Sequence, residues 1–200
     1  MAKWQLAVLP QSVPPRLRIA VDLDGVLAET MTAWREKANE ELGTRLKLDD
    51  IDSWASWMKL GVTKDQFYRL LDSAWDDWEN IPPTEAGLAR KVAKLRSLGT
   101  VDIVTGRSRR TVDSARSWLE EHSIPFERFV RVSRVRDKVY LDYDVYIDDA
   151  PDLMPLISRN PVKHGILYER PWNRDMQDMP RIFKVEKWAE IPGIIRGILD

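Results

Sequence analysis

The sequence predicts an α/β domain, in which a mostly parallel sheet is covered on both faces by helices and carries a small helical insertion. Two observations predict this fold. From about residue 85 onward, short apolar runs that suit buried strands alternate with amphipathic stretches, as in βαβ units. The stretch from about 42 to 81 breaks this alternation with a helical pattern, so we assign it to a helical cap inserted into the domain.

Composition limits the domain organisation and the class of protein. Two hundred residues, 44% of them apolar, fit one domain with a sizeable core, which we assign to 16–200. Residues 1–15 hold three prolines and are expected to be an N-terminal extension. The absence of cysteine from the sequence excludes a thiol nucleophile, a disulfide framework and a cysteine metal site.

Charge and hydropathy indicate the partners and the cellular location that we expect for the protein. The net charge of −1 gives no general attraction to nucleic acid or to an anionic membrane. No segment approaches the roughly 18 uninterrupted apolar residues of a membrane span, and the N-terminal apolar stretch is too short for a secretory signal. We therefore expect a soluble, cytoplasmic protein, and no feature of the sequence indicates an oligomeric state.

The first half of the chain predicts one strand and three helices. The strand covers 19–21, and the first helix follows it over 31–42 and ends at Gly43. Inside the cap we expect helices over 50–60 and 64–78, the second of which begins with a capping box formed by Thr63 and Gln66.

The second half predicts a regular alternation. A helix over 85–98 is expected to end at Gly99, and a strand over 101–105 follows it. The remaining predicted elements are a helix over 110–122, strands near 129–132, 145–147 and 165–168, a further strand at 182–185 and a helix over 187–199.

Two carboxylates stand at the end of the first strand. Asp22 and Asp24 are two residues apart, so both side chains can face one small volume at the edge of the sheet. Carboxylates this close repel one another unless a cation lies between them, and Mg²⁺ prefers oxygen ligands. With a cation bound, one of the two carboxylates would be free to attack a substrate or to move a proton. A solvated turn is the alternative interpretation of these two residues.

Further polar residues follow the later strands. Thr105 ends the second strand, Lys138 lies between two later strands, and Asp148 and Asp149 end another. Ligands of such sheets bind beyond the carboxyl ends of the strands. The Thr105 hydroxyl can donate a hydrogen bond to such a ligand, and Gly106 lets backbone N–H groups approach it closely.

The order of these residues resembles the four motifs of the haloacid dehalogenase-like (HAD) phosphatases. Asp22 and Asp24 match the first motif, Thr105 the second, Lys138 the third, and the pair Asp148–Asp149 the fourth. The resemblance implies a HAD-like Rossmannoid sheet with a cap. It also implies that Asp22 attacks phosphorus and forms an aspartyl-phosphate, with Asp24 as general acid and base.

The resemblance can be narrowed to the 5′(3′)-deoxyribonucleotidase branch. It rests on segments that begin at Asp22, Ile81, Trp118, Arg136 and Tyr146, and it spans about 18–188. Thr30 stands where that branch often carries an aromatic residue that touches the base. The segment Trp172-Asn173-Arg174 resembles an element of bacterial relatives, either as a wall of the site or as a structural turn.

The resemblance also implies which residues hold the metal. Mg²⁺ would be bound by the Asp22 carboxylate, the backbone carbonyl of Asp24 and one acid of the Asp148–Asp149 pair. The resemblance favours Asp149 as the direct ligand, although sequence spacing alone leaves both acids open.

The substrate side of the site is predicted from basic and aromatic residues. Lys138 and Arg107 are expected to join Thr105 and Gly106 in binding phosphate. Nine tryptophans are many for this length, and their first interpretation is packing of the cap against the core. The functional interpretation is stacking on a nucleobase, for which we single out Trp75 and Trp78.

The sequence thus predicts a Mg²⁺-dependent phosphomonoester hydrolase that acts on nucleoside monophosphates. One alternative is a HAD phosphatase for another small phosphate metabolite. Another is an end-processing phosphatase on nucleic acid, which would use the arginines of 128–136 and against which the net charge argues. A binding module without turnover ranks last because all the acidic residues are present.

Overall fold

The computed structural model describes residues 16–199, so the predicted extension over 1–15 lies outside the described residues. Its centre is a sheet of six parallel strands. The strands are β1 (Leu17–Val21), β2 (Gly99–Thr105), β3 (Phe129–Arg131), β4 (Val145–Asp148), β5 (His164–Tyr168) and β6 (Ile182–Val185). The predicted α/β fold with a parallel sheet is confirmed.

The order of the strands brings the polar strand ends together. The order is β3-β2-β1-β4-β5-β6, so β1 pairs with β2 on one side and with β4 on the other. Strand order reverses between β1 and β4, and open α/β sheets form their ligand crevices at such a point. Asp22 directly follows β1 and Asp148 ends β4, which puts both carboxylates at this crevice.

Residues 16–199 also form six α-helices. They are α1 (Thr30–Leu42), α2 (Lys64–Asp76), α3 (Leu88–Arg96), α4 (Val112–Glu121), α5 (Met154–Ser158) and α6 (Ile191–Leu199). Gly43 ends α1 in the left-handed conformation, with φ of 65°, as predicted. The capping box of Thr63 and Gln66 at the start of α2 is also confirmed.

Helices α1 and α2 pack against one another. Trp34 and Ala38 of α1 share a buried cluster with Phe67 and Leu70 of α2. The predicted insertion over 42–81 therefore packs against α1. We use the name cap for the two together, residues 30–81.

The predicted helix over 50–60 is wrong. The structure has only two short 3₁₀ turns in this region, Leu48–Asp50 and Ser56–Met58. The Ser56 hydroxyl donates to the carbonyl of Ser53, and such local bonds compete with the helical pattern. This turn structure lets Trp54 and Trp57 project toward the crevice.

Gly99 does not end a helix, contrary to the sequence prediction. The cap residue of α3 is Ser97, and Gly99 is the first residue of β2. A Cβ atom at Gly99 would lie 2.4 Å from the carbonyl oxygen of Leu17 on β1. Glycine is required there because the two strands begin so close to one another.

Among the helices of residues 16–199, none combines the length and the apolar character that crossing a membrane requires.

Candidate active site

A cavity lies where the carboxyl ends of the central strands face the cap. The strand ends contribute six of the residues that line it: Asp22, Asp24, Thr105, Gly106, Arg107 and Asp149. The structure therefore brings most of the predicted site residues to one volume. Lys138 and Asp148 lie behind this wall and are almost fully buried.

Lys138 ties the first motif to the fourth. Its Nζ lies 2.9 Å from Asp22 Oδ1 and donates to Asp148 Oδ2 at 2.7 Å. Burial disfavours the charged ammonium, but Asp148 and Asp22 outweigh burial and raise the pKa of Lys138. The ammonium thus neutralises part of the charge of the acidic cluster and fixes the position of Asp22.

Three carboxylates form a group that could hold a metal ion. One oxygen each of Asp22, Asp148 and Asp149 lies within 4.8 Å of the others, and all three residues are buried. Desolvation raises the pKa of Asp22 to about 7, Asp148 and Asp24 add to the rise, and Lys138 opposes it. The pKa of Asp149 is likewise raised by desolvation and by the neighbouring acids.

The donor set fits a hard divalent cation. Asp22 Oδ1 is buried and accepts no well-directed hydrogen bond, even though the Lys138 ammonium is nearby. A lone ammonium leaves the three carboxylates with excess negative charge, which a cation with oxygen ligands would compensate.

The two acids of the fourth motif have different partners. Asp148 is occupied on both oxygens, by Lys138 on Oδ2 and by the Ala150 amide at 2.9 Å on Oδ1. Asp149 lines the cavity and accepts from Trp172 Nε1 at 3.1 Å on Oδ2. These partners favour Asp149 as the direct ligand, and Asp148 as the residue that orients Lys138.

Among the residues that the structure describes, hydrogen bonds reach the carboxylate of Asp24 through Oδ1 alone. Its Oδ1 accepts hydrogen bonds from Thr30 Oγ1 at 2.7 Å, Trp75 Nε1 at 3.0 Å and Arg107 Nη1 at 2.6 Å. With three donors on Oδ1, the other oxygen is the one that remains able to carry a proton. The carboxylate is thus oriented but still able to act as an acid or a base.

Arg107 lines the cavity, and its guanidinium binds the carboxylate of Asp24. Its side chain is 1% exposed, and besides Asp24 it contacts Thr111 Oγ1 at 3.0 Å and Asp72 Oδ1 at 3.5 Å. Its guanidinium carbon lies 4.5 Å from the centre of the Trp75 ring. All of these contacts fix the guanidinium beside the acid, because Arg presents several donors in one rigid plane.

Thr105 and Gly106 line the cavity at the end of β2. The Thr105 hydroxyl oxygen accepts the Arg107 amide at 3.2 Å, which leaves the hydroxyl hydrogen available as a donor. A Cβ atom at Gly106 would lie 3.0 Å from Val135, so a side chain would crowd this turn.

The aromatic wall of the cavity comes from the cap. Trp54, Trp57, Phe67 and Tyr68 line it, and Trp172 joins them from the core. An aromatic wall opposite a cluster of carboxylates suits a substrate with a charged end and a flat apolar end.

The two tryptophans that we expected to stack on a base are placed elsewhere. Trp75 is fully buried, outside the cavity lining, and its indole N–H binds Asp24. Trp78 packs against the core cluster and is also outside the lining. Their i, i+3 spacing indicated a shared helix face, but that face is turned toward the core rather than toward the cavity.

Sequence reasoning missed the roles of Thr30 and Asp72. Thr30 is buried at the start of α1 and donates to Asp24, and only its spacing of six residues from that acid hinted at a contact. Asp72 of α2 accepts from Ser108 Oγ at 2.9 Å and approaches Arg107, which ties the cap to the turn after β2. No local signal in the sequence marks that pairing.

Similarity to known proteins agrees with this geometry. A 5′(3′)-deoxyribonucleotidase of Bacillus subtilis is 30% identical over 175 residues, which are 86% of this chain and 95% of that protein. A haloacid dehalogenase-like hydrolase of Streptococcus pneumoniae has a similar structure, with a TM-score of 0.66 and 16% identity over 90% of this chain and 98% of that one. A HAD hydrolase of B. subtilis solved with magnesium has a TM-score of 0.58 and 12% identity over 91% and 99% of the two chains.

Fold and site together define a HAD-like hydrolase of phosphoric monoesters. Residues 16–199 match the family model described as 5′ nucleotidase, deoxy (pyrimidine), cytosolic type C protein, and the chain belongs to that family. The predicted family resemblance is confirmed.

Proposed function

We propose that the protein is a Mg²⁺-dependent nucleotidase that hydrolyses nucleoside 5′- and 3′-monophosphates, deoxynucleotides included, through an aspartyl-phosphate on Asp22. The observation that carries this proposal is the position of Asp22, a buried carboxylate beside Lys138 that faces the same cavity as Asp24. We also propose a cytoplasmic location, because the family is described as cytosolic.

The first half-reaction would use Asp22 as nucleophile. A carboxylate oxygen attacks phosphorus while the bond from phosphorus to the ester oxygen breaks. The free oxygen of Asp24 delivers a proton to the departing alkoxide, so the nucleoside leaves as an alcohol. Thr105 and Gly106 are positioned to donate to the phosphoryl oxygens as their charge changes.

The second half-reaction reverses the proton movement. Asp24 removes a proton from a water molecule, whose oxygen attacks phosphorus and breaks the bond to Asp22. Inorganic phosphate is released, and both carboxylates return to their starting state. Mg²⁺ held by Asp22, Asp149 and the Asp24 carbonyl would neutralise the acids and the phosphate and polarise the phosphoryl oxygens.

The aromatic wall supports a nucleotide as the substrate. Trp57 and Tyr68 line the half of the cavity that the cap contributes, where a base attached to the phosphate could stack. Base stacking on an aromatic side chain contributes roughly 1–3 kcal/mol. A sugar phosphate would leave these apolar surfaces without a partner.

The proposal is tested by phosphate release from nucleoside 5′- and 3′-monophosphates, sugar phosphates and an aryl phosphate, with Mg²⁺ and with EDTA. We expect nucleotides to be preferred, and both EDTA and Asp22→Asn to abolish turnover. Asp142→Asn is the control, because Asp142 is an exposed acid outside the cavity. Turnover of sugar phosphates alone would remove the nucleotide assignment, and full activity of Asp22→Asn would remove the mechanism.

A further inference from the structure

The loop after β5 reaches back to the end of β4. Trp172 and Asn173 in this loop are only 7% and 3% exposed, although the reaction outlined above uses neither of them. Both contact Asp149, which is the acid that we assign as a direct metal ligand. Buried polar contacts of this kind fix the orientation of the group that they touch.

Asn173 holds the backbone of Asp149. Its Nδ2 donates to the carbonyl oxygen of Asp149 at 2.8 Å and to that of Tyr168 at 2.9 Å. Its Oδ1 accepts the amide of Arg170 at 2.9 Å. One side-chain amide thus joins the ends of β4 and β5 and fixes the peptide group from which the Asp149 side chain extends.

Trp172 holds one carboxylate oxygen of Asp149. Its Nε1 donates to Oδ2 at 3.1 Å, and a Cβ atom at Gly25 would lie 2.1 Å from the same oxygen. Oδ2 is therefore confined between the indole and the Gly25 backbone. Within residues 16–199, Oδ2 is the only oxygen of this carboxylate that accepts a hydrogen bond, which leaves Oδ1 available to an ion.

The Trp172 ring is itself fixed from two sides. It belongs to the buried cluster of the cap that contains Trp34 and Phe67. On the core side, the guanidinium of Arg170 lies 5.3 Å from the ring centre and forms an ion pair with Glu29 just before α1. The position of the indole N–H therefore depends on the cap as well as on the loop.

We propose that Trp172 and Asn173 are positioning residues that orient Asp149 for metal binding, and that Trp172 makes this orientation depend on the cap. This inference rests on the proposed metal-dependent function. It assigns to the two residues a role in ion affinity rather than in contact with the phosphate. Removal of groups that orient a metal ligand typically weakens metal affinity by roughly 10- to 100-fold.

The test is titration of the full chain with Mn²⁺ as a probe of the Mg²⁺ site, by calorimetry and without substrate. Trp172→Phe keeps an aromatic ring in the cap cluster but removes the N–H donor. Trp34→Phe is the matched control, because Trp34 belongs to the same cluster and donates its indole N–H to the Phe67 carbonyl at 2.9 Å. It therefore loses the same kind of bond at a site that does not touch Asp149.

We expect Trp172→Phe to bind Mn²⁺ roughly 10- to 100-fold more weakly than the wild type, and Trp34→Phe to bind it within about twofold. Nucleotidase turnover by Trp172→Phe should be recovered at high Mg²⁺, since the nucleophile and the acid are intact. Asn173→Ala is a second test variant, which leaves the cap cluster unchanged. We expect it to lose the same degree of affinity for Mn²⁺. It decides the outcome if Trp172→Phe does not fold.

The possible failures are distinguishable. Wild-type affinity for Mn²⁺ in folded Trp172→Phe and Asn173→Ala would overturn the inference and leave the proposed function intact. Equal losses in Trp34→Phe and Trp172→Phe would also overturn it, because the effect would then come from cap packing alone. A wild-type protein that hydrolyses nucleotides without binding Mn²⁺ or Mg²⁺ would overturn both the inference and the metal dependence.

Discussion

Arg107 Nη1 donates to Asp24 Oδ1 at 2.6 Å, and this bond crosses from the turn after β2 to the loop after β1. It joins an arginine that is almost fully buried to the carboxylate that we assign as acid and base. The same guanidinium also approaches Asp72 on α2. The orientation of the Asp24 carboxylate therefore depends on the position of α2 in the cap.

Replacing Arg107 with lysine should lower turnover while leaving substrate binding close to normal. Lysine keeps the charge but cannot bind Asp24, Thr111 and Asp72 from one rigid plane. Misplacement of a reacting group can cost about 10²-fold, and we expect a fall of that order in kcat. Steady-state kinetics with a nucleoside monophosphate measure this. Arg110→Ala is the control, and a rise in KM with unchanged kcat would instead assign Arg107 to phosphate binding.

Removal of an aromatic side chain from the cavity should lower the activity on nucleotides more than the activity on sugar phosphates. We expect Trp57→Ala to lower kcat/KM for a nucleoside monophosphate by about 5- to 150-fold, the equivalent of 1–3 kcal/mol of stacking. Activity on a sugar phosphate should change little. Trp78→Phe serves as the control, since Trp78 lies outside the cavity lining. An equal loss of kcat/KM on both substrates would show that Trp57 stabilises the cap and does not stack on the base.

Replacing Lys138 with methionine should destabilise the protein strongly. Asp22 and Asp148 would then be buried without their cationic partner, which typically costs about 3–5 kcal/mol. Urea unfolding in EDTA measures the loss, and added Mg²⁺ should restore part of it by binding the folded state. Lys59→Met removes an exposed ion pair with Asp52 and should change little. Equal stability of the two variants would contradict the role of Lys138.

Glu85 should make stability depend on pH. Burial favours its neutral form, but hydrogen bonds from Lys91, the Trp188 amide at 2.9 Å and the Tyr168 hydroxyl at 2.8 Å outweigh burial and lower the pKa of Glu85 below 4.5. A carboxyl group with a lowered folded-state pKa contributes stability above its unfolded pKa. That contribution is lost as the pH falls through the folded value.

Glu85→Gln is therefore expected to destabilise the protein by about 1–3 kcal/mol at pH 7, with a smaller difference near pH 3.5. Urea unfolding at both pH values, beside the wild type, is the measurement. Glu120→Gln on the exposed side of α4 should show neither effect. A difference from the wild type that stays constant with pH would mean that the charge of Glu85 contributes nothing.

The sequence was sufficient for the sheet and for the charged groups at its edge. Apolar runs that end in Asp22, Thr105 and Asp148 identify strands and their polar ends together, because parallel strands place those ends at one edge. Lys138 could be assigned only through the family resemblance, since it lies in a 3₁₀ segment with no periodic pattern.

The direction in which individual side chains point could not be predicted from the sequence. Arg107 directly follows Thr105 and Gly106, which we expected to bind phosphate together with it. Its side chain is long enough for the guanidinium to reach Asp24, and the sequence does not show that contact. The spacing of Trp75 and Trp78 predicts a common face, and only the packing of α2 decides which way that face turns. Trp54 and Trp57 reach the cavity because local serine bonds replace the expected helix with 3₁₀ turns.

Because β1 lies in the middle of the sheet, the sheet can be completed only late in synthesis on the ribosome. The second neighbour of β1, which is β4, ends only at Asp148, far later in the chain than Asp22. Until that segment has been made, the strand that precedes Asp22 has one edge of unpaired backbone groups, which are open to pairing with other chains. A nascent chain therefore carries Asp22 at the end of an unfinished sheet, and the group of Asp22, Asp148 and Asp149 forms only late in synthesis.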